Sequence, residues 1–157
     1  MNKVFSLSKW IWLSETKVNQ YADFVTTFVL DKEDAVLRIS ADTNYALYLN
    51  GKFVYAGQYP DYPHYKIYDE FSVGKDCRMG ENVLAVLAWS AGEDSSTYRR
   101  ETAGLLFEIV SGGEVIASSG EQVLVREDPC YRSGEVEKVT TQLGFSSHYD
   151  AAREDGA

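Results

Sequence analysis

Residues 45–56, YALYLNGKFVYA, decide the fold. Asn50 and Gly51 both tolerate the positive φ that a two-residue type I′ turn demands, and an apolar, aromatic run lies on either side, so the stretch predicts a β-hairpin. The turn also sets a register. Leu49 is expected to face Lys52, Leu47 to face Val54 and Tyr45 to face Ala56, with Tyr48 and Phe53, and Ala46 and Tyr55, on the opposite side. Leu47, Leu49 and Val54 then form the core face.

Working outward, short apolar runs with period-two spacing recur along the chain, and no stretch keeps apolar residues at helical spacing over three turns. Strands are predicted near 9–13 (KWIWL), 21–30, 35–41, 45–49, 52–56, 65–71, 82–89, 104–110, 114–117 and 122–126. Ser111, Gly112 and Gly113 separate two of these runs as a second hairpin, and Gly80, Glu81 and Asn82 turn into NVLAVLAW, whose nearly continuous apolar character predicts a central strand. Strands at this spacing without crossover helices fit an all-β fold, two packed antiparallel sheets in a β-sandwich. Leu84, Val86 and Leu106 join the predicted core. Residues 1–128 read as the sandwich domain and 129–157 as a final strand or exit segment leading toward a downstream domain, its last residues, DAAREDGA, having little to pack against.

Composition narrows the function. The 157 residues carry 15 Lys and Arg against 24 Asp and Glu, a net charge of −9. Neutralising a nucleic-acid backbone would work against that field, so no nucleic-acid partner is expected. No apolar run approaches the ~20 residues of a spanning helix, so no membrane partner is expected either. Lys9 interrupts the apolar start and no small-residue cleavage site follows, which predicts a cytoplasmic chain without a signal peptide. Cys77 and Cys130 are expected to be free thiols.

Motif-defined chemistry is missing. The chain has no G-x-S-x-G, no HExxH, no phosphate-binding glycine loop and no paired CxxC. His64 and His148 lie far apart, and an isolated histidine is more often a hydrogen-bonding group than a base. The acids at Asp31, Glu33 and Asp34, at Asp69 and Glu70, and at Glu93 and Asp94 match no defined calcium loop and read as solvated turns, so a structural calcium has no support and no cofactor is expected. No catalytic and no metal-binding residue is assigned.

The unusual stretch is YAGQYPDYPHYKIYDEF, residues 55–71, with five tyrosines around Pro60, Asp61, Pro63 and His64. Aromatic faces beside donors and acceptors can stack on a sugar and fix its hydroxyls. The favoured alternative is a proline-stiffened loop that covers a sandwich edge with its rings. Tyr59, Asp61, Tyr62, His64 and Tyr65 are therefore the candidate contact residues, for carbohydrate or for a neighbouring domain.

FVTTFVL, AVLRISADTNYALYLNGKFVYAGQYPDYPHYKIYDEF, GENVLAVLAW, TAGLLFEI and the closing HYDAARE together resemble the N-terminal β-sandwich domain of bacterial α-L-rhamnosidases, which is similar to galactose-binding-type jelly rolls. The resemblance spans nearly the whole chain. It implies a non-catalytic accessory domain, because in such glycoside hydrolases the carboxylates that act on the L-rhamnosyl linkage belong to a larger helical barrel downstream. Its implied partners are that catalytic domain and, secondarily, rhamnose-containing glycan. The alternative is an autonomous carbohydrate-binding module.

Overall fold

The computed structural model describes residues 4–58 and 61–155. Eleven strands account for nearly all regular structure among them: β1 (Gln20–Leu30), β2 (Val36–Ala41), β3 (Asn44–Leu49), β4 (Lys52–Gly57), β5 (Asp69–Ser72), β6 (Gly80–Ser90), β7 (Leu105–Ser111), β8 (Glu114–Ser118), β9 (Leu124–Glu127), β10 (Lys138–Thr140) and β11 (Gly144–Phe145). Three-residue 3₁₀ turns at Gly74–Asp76 and Ala151–Arg153 complete the list. One sheet runs β4-β3-β6-β1-β9 and the other β5-β2-β7-β8, every pairing antiparallel. Their facing sides close one core. Phe24, Phe28, Leu47, Leu49, Leu84 and Val86 come from the first sheet, and Leu37, Ile39, Leu105, Phe107 and Ile109 from the second. No helix among the described residues is long and apolar enough to cross a membrane.

Asn50 and Gly51 take φ of 52° and 77°, as the type I′ turn requires. Near the turn the predicted register holds, with Leu49 facing Lys52 and Tyr48 facing Phe53, but Leu47 then faces Tyr55 and Ala46 faces Ala56. Val54 is the extra residue of a β-bulge, and it is only half-buried. The reason lies in topology: β4 is an edge strand, and a bulge twists such an edge and interrupts its free ladder. Leu106 is also only half-buried, because β7 turns Leu105, Phe107 and Ile109 inward and so leaves Leu106 on the outer side.

Two predicted strands shrink. KWIWL is not a strand; only Ile11 pairs, exchanging hydrogen bonds with Leu105 at 3.0 and 2.9 Å. Its tryptophans are committed sideways, the indole of Trp12 donating to Gln20 Oε1 at 2.9 Å. The run 65–71 becomes β5 only from Asp69, since the Ile67 N–H is taken by the Asp61 carboxylate at 2.9 Å. In β6 the inward positions are buried and the outward ones half-buried, so the central strand is covered on both sides but unequally.

The outer cover is the segment after β9. Asp128 N–H donates to Tyr21 O at 3.1 Å and Gly134 N–H to Val18 O at 3.1 Å, while Tyr131 stacks on Tyr21 at 4.5 Å with planes 13° apart. The segment thus returns over the first sheet before forming the β10–β11 hairpin. Arg126 ties the exposed last turn back to β9 through Asp155 at 2.5 Å. At the other end, Ser6, Leu7 and Ser8 N–H groups all donate to the buried Glu108 Oε1 at 2.6, 2.5 and 3.0 Å. Burial alone would raise that carboxyl, but these donors outweigh it and hold the pKa below the ordinary value. Among the described residues every buried side-chain nitrogen and oxygen has a hydrogen-bond partner.

Candidate functional site

The tyrosine loop joins β4 to β5, the edge strands of the two sheets, and so lies along one flank of the sandwich. It is anchored from inside by polar residues. The Gln58 amide side chain completes both backbone groups of Ala41, accepting from its N–H and donating to its carbonyl at 2.9 Å each, as a neighbouring strand would. Asp61 accepts from Lys66 Nζ at 2.9 Å, from Ile67 N–H at 2.9 Å and from Gln58 Nε2 at 3.3 Å. Its side chain is only 4% exposed. The sequence reading placed Asp61 with the contact residues; the structure gives its carboxylate inward partners instead, so it holds the loop's shape.

Lys66 links this anchor to the body of the domain. Its ammonium also reaches Glu101 at 2.9 Å and lies 5.6 Å from the centre of the Trp10 ring. Burial would lower its pKa, yet Asp61 and Glu101 outweigh that and raise it, so the lysine stays charged. Trp10 can lie there because residue 104 is glycine: a Cβ at Gly104 would fall 1.9 Å from the indole nitrogen.

With the polar groups turned inward, rings are left outside. Tyr62 is 59% and Tyr65 72% exposed, and a backbone hydrogen bond from Tyr65 N–H to Tyr62 O at 2.8 Å holds them on a common turn. His64 sits exposed between them, 6.1 Å from the Tyr62 ring centre. Tyr59, the remaining candidate, lies outside the described residues. Other exposed rings on and beside β4 have their own neighbours: Phe53 packs edge-on against Tyr48, Tyr55 lies 4.5 Å from Phe71, and Tyr68 lies beside Phe5. The sequence pointed to Tyr62, His64 and Tyr65 through tyrosine density; its unbulged register put Phe53 and Tyr55 on one side of β4, whereas the bulge at Val54 sets Phe53 opposite Tyr48 and Tyr55 opposite Leu47.

Among the described residues of this flank the acids and Lys66 are engaged in holding the loop. Elsewhere several acids have local structural partners. Asp34 accepts from Ser111 Oγ at 2.7 Å and Gly112 N–H at 2.9 Å, closing the β7–β8 hairpin, and these bonds lower its pKa. Glu70 pairs with Arg38, and Asp69 accepts from the Tyr45 hydroxyl at 2.5 Å. His148 contacts Glu137 at 2.8 Å on the surface. Among the described residues no three His, Cys, Asp or Glu gather as a metal ion would need, and Cys77 and Cys130 are both free.

Comparison with solved structures finds the same architecture in larger enzymes. The GH78 family rhamnosidase of Bacillus sp. GL1 is 27% identical, superimposes with a TM-score of 0.87, and aligns over 95% of this chain but only 16% of its own. The α-L-rhamnosidase of Streptomyces avermitilis, complexed with L-rhamnose, is 22% identical over 77% of this chain and 12% of its own, with a TM-score of 0.59. A lectin of Pleurotus ostreatus shares the fold at 17% identity and a TM-score of 0.54, over 90% of this chain and 41% of its own. No family model and no curated protein sequence matches the chain. The likeness to a rhamnosidase domain read from the sequence is therefore borne out in three dimensions, and the chain spans about a sixth of the length of the Bacillus enzyme.

Proposed function

We propose that this chain is a non-catalytic accessory domain, N-terminal in position, of an α-L-rhamnosidase-type glycoside hydrolase, and that it supports the catalytic domain of the same polypeptide. The observation that carries the reading is the match to the Bacillus rhamnosidase, close over 95% of this chain yet confined to 16% of the enzyme. Several acids among the described residues serve a hairpin, a loop or an ion pair, which supports this reading. The exposed rings of Tyr62 and Tyr65, held on one turn, are the surface we assign to the neighbouring domain, since exposed aromatic residues of this kind commonly mark interfaces.

The test uses Tyr62→Ala and Tyr65→Ala in the isolated chain and in the longer polypeptide. Both rings are exposed, so the isolated chain should keep its melting midpoint, whereas the longer polypeptide should melt earlier. Unchanged melting in both contexts overturns the docking assignment. If the substitutions instead weaken glycan binding while both midpoints stay fixed, the module reading replaces it.

A further inference from the structure

At the end of the sandwich where β2 passes to β3 and β6 terminates, the loop after β6 and the β10–β11 hairpin enclose a cleft of about 150 Å³. From the geometry we infer that this cleft is a binding site for a single neutral pyranose ring, separate from the tyrosine flank and independent of the rhamnosidase reading. Four observations carry this.

The first is shape. A volume near 150 Å³ is small beside the ~300 to 1,000 Å³ of sites for drug-sized ligands, so one small ring is the largest occupant it suits. The second is the pairing of apolar faces with polar groups. Trp89 and Phe145 line the cleft together with Asn44 and Thr97. The Trp89 indole N–H is already committed to Asn19 Oδ1 at 2.9 Å, so what Trp89 can offer a ligand is its ring, the surface on which the C–H side of a sugar stacks.

The third is charge. The chain as a whole is strongly acidic, and at the cleft Glu93 pairs with Lys138, whose ammonium also lies 5.1 Å from the Phe145 ring centre, and Asp94 with Arg99, while the Asp42 carboxylate is held by the Ser90 and Tyr98 hydroxyls and, among the described residues, by no cation in a salt bridge. With its lining cation, Lys138, committed to Glu93 and an acidic group at its base, the site favours a neutral polyhydroxylated ligand over an anion. The fourth is rigidity. Asp42 lies buried at the base, its carboxylate accepting from Ser90 Oγ at 2.6 Å and from the Tyr98 hydroxyl at 2.9 Å, while Thr43 Oγ1 accepts from Ala91 N–H at 3.0 Å. These bonds fix the floor before any ligand arrives, which reduces the ordering cost of binding.

The experiment is an amide-resonance titration of the chain with L-rhamnose, D-galactose and, as a charged control, D-glucuronate. At least one neutral sugar should give saturable shifts at residues 43–44, 95–98 and 144–145, with an affinity in the ~1 to 10 mM range. Glucuronate should bind more weakly. Phe145→Ala and Thr97→Ala, on the hairpin and the loop rather than in the sandwich core, should each weaken that binding by ~tenfold, equivalent to ~1.4 kcal/mol, with unchanged melting midpoints. Absence of shifts with both neutral sugars overturns the inference, as does binding that both substitutions leave intact. Shifts confined to residues 61–68 overturn it too. None of those outcomes touches the accessory-domain reading, which is decided by melting of the longer polypeptide.

Discussion

Leu49 and Lys52 face each other across the β3–β4 hairpin, yet Leu49 is 1% exposed and Lys52 lies in solvent. Leu49→Ala should cost ~2 to 5 kcal/mol through the lost transfer energy and the cavity left behind, and Lys52→Ala within ~0.5 kcal/mol. Denaturant midpoints measure both, and equal midpoints for Leu49→Ala and the parent chain would contradict the register. Asp23 gives a second single-residue prediction. Burial, with the nearby Asp128 carboxylate, pushes its pKa up to about 6 against the hydrogen bond from Arg126. A carboxyl raised on folding stabilises the fold fully below its unfolded value of ~3.9, and that contribution is lost as pH rises through the folded value. Asp23→Asn should therefore flatten the decline in melting midpoint between pH 4 and 6; an unaltered pH profile would contradict the assignment. Leu47, Leu49, Leu84 and Val86 were legible as core because alternation along a strand fixes which side chains face inward. Leu106 was not, because its strand is apolar on both sides and alternation alone cannot choose between them.

Among the elements, β6 lies between β3 and β1 at the centre of the five-stranded sheet, with the second sheet inside and the returning C-terminal segment outside. β10 and β11 pair only with each other, and β10 is exposed throughout. Amide exchange should therefore be slowest at Leu84, Val86 and Ala88 and far faster at Lys138 to Thr140. Comparable protection in the two elements would mean that the hairpin belongs to the cooperative core. The strands were legible wherever backbone pairing was the only competitor. They were misread where a side chain captured the backbone, as at Ile67, or where tryptophans anchored a segment without a ladder, as at residues 9–13. The bulge at Val54 was invisible for a related reason: it answers to the exposure of an edge, which only the strand order reveals.

For the molecule as a whole, the parts of the candidate surface were legible to different degrees. Tyrosine density and the two prolines marked the loop, but the inward turn of Asp61 depends on Lys66, Ile67 and Gln58 converging on it. The cleft could not be read at all, because Asn44, Trp89, Thr97 and Phe145 come together only through the fold. The central proposal is that this chain forms part of a rhamnoside-cleaving enzyme without supplying its chemistry. Its most direct test is a side-by-side assay of the purified chain and the longer polypeptide on an aryl α-L-rhamnoside. The account predicts aryl release by the longer polypeptide and none above the buffer rate by the chain; turnover by the chain alone, abolished by one carboxylate substitution, would contradict it.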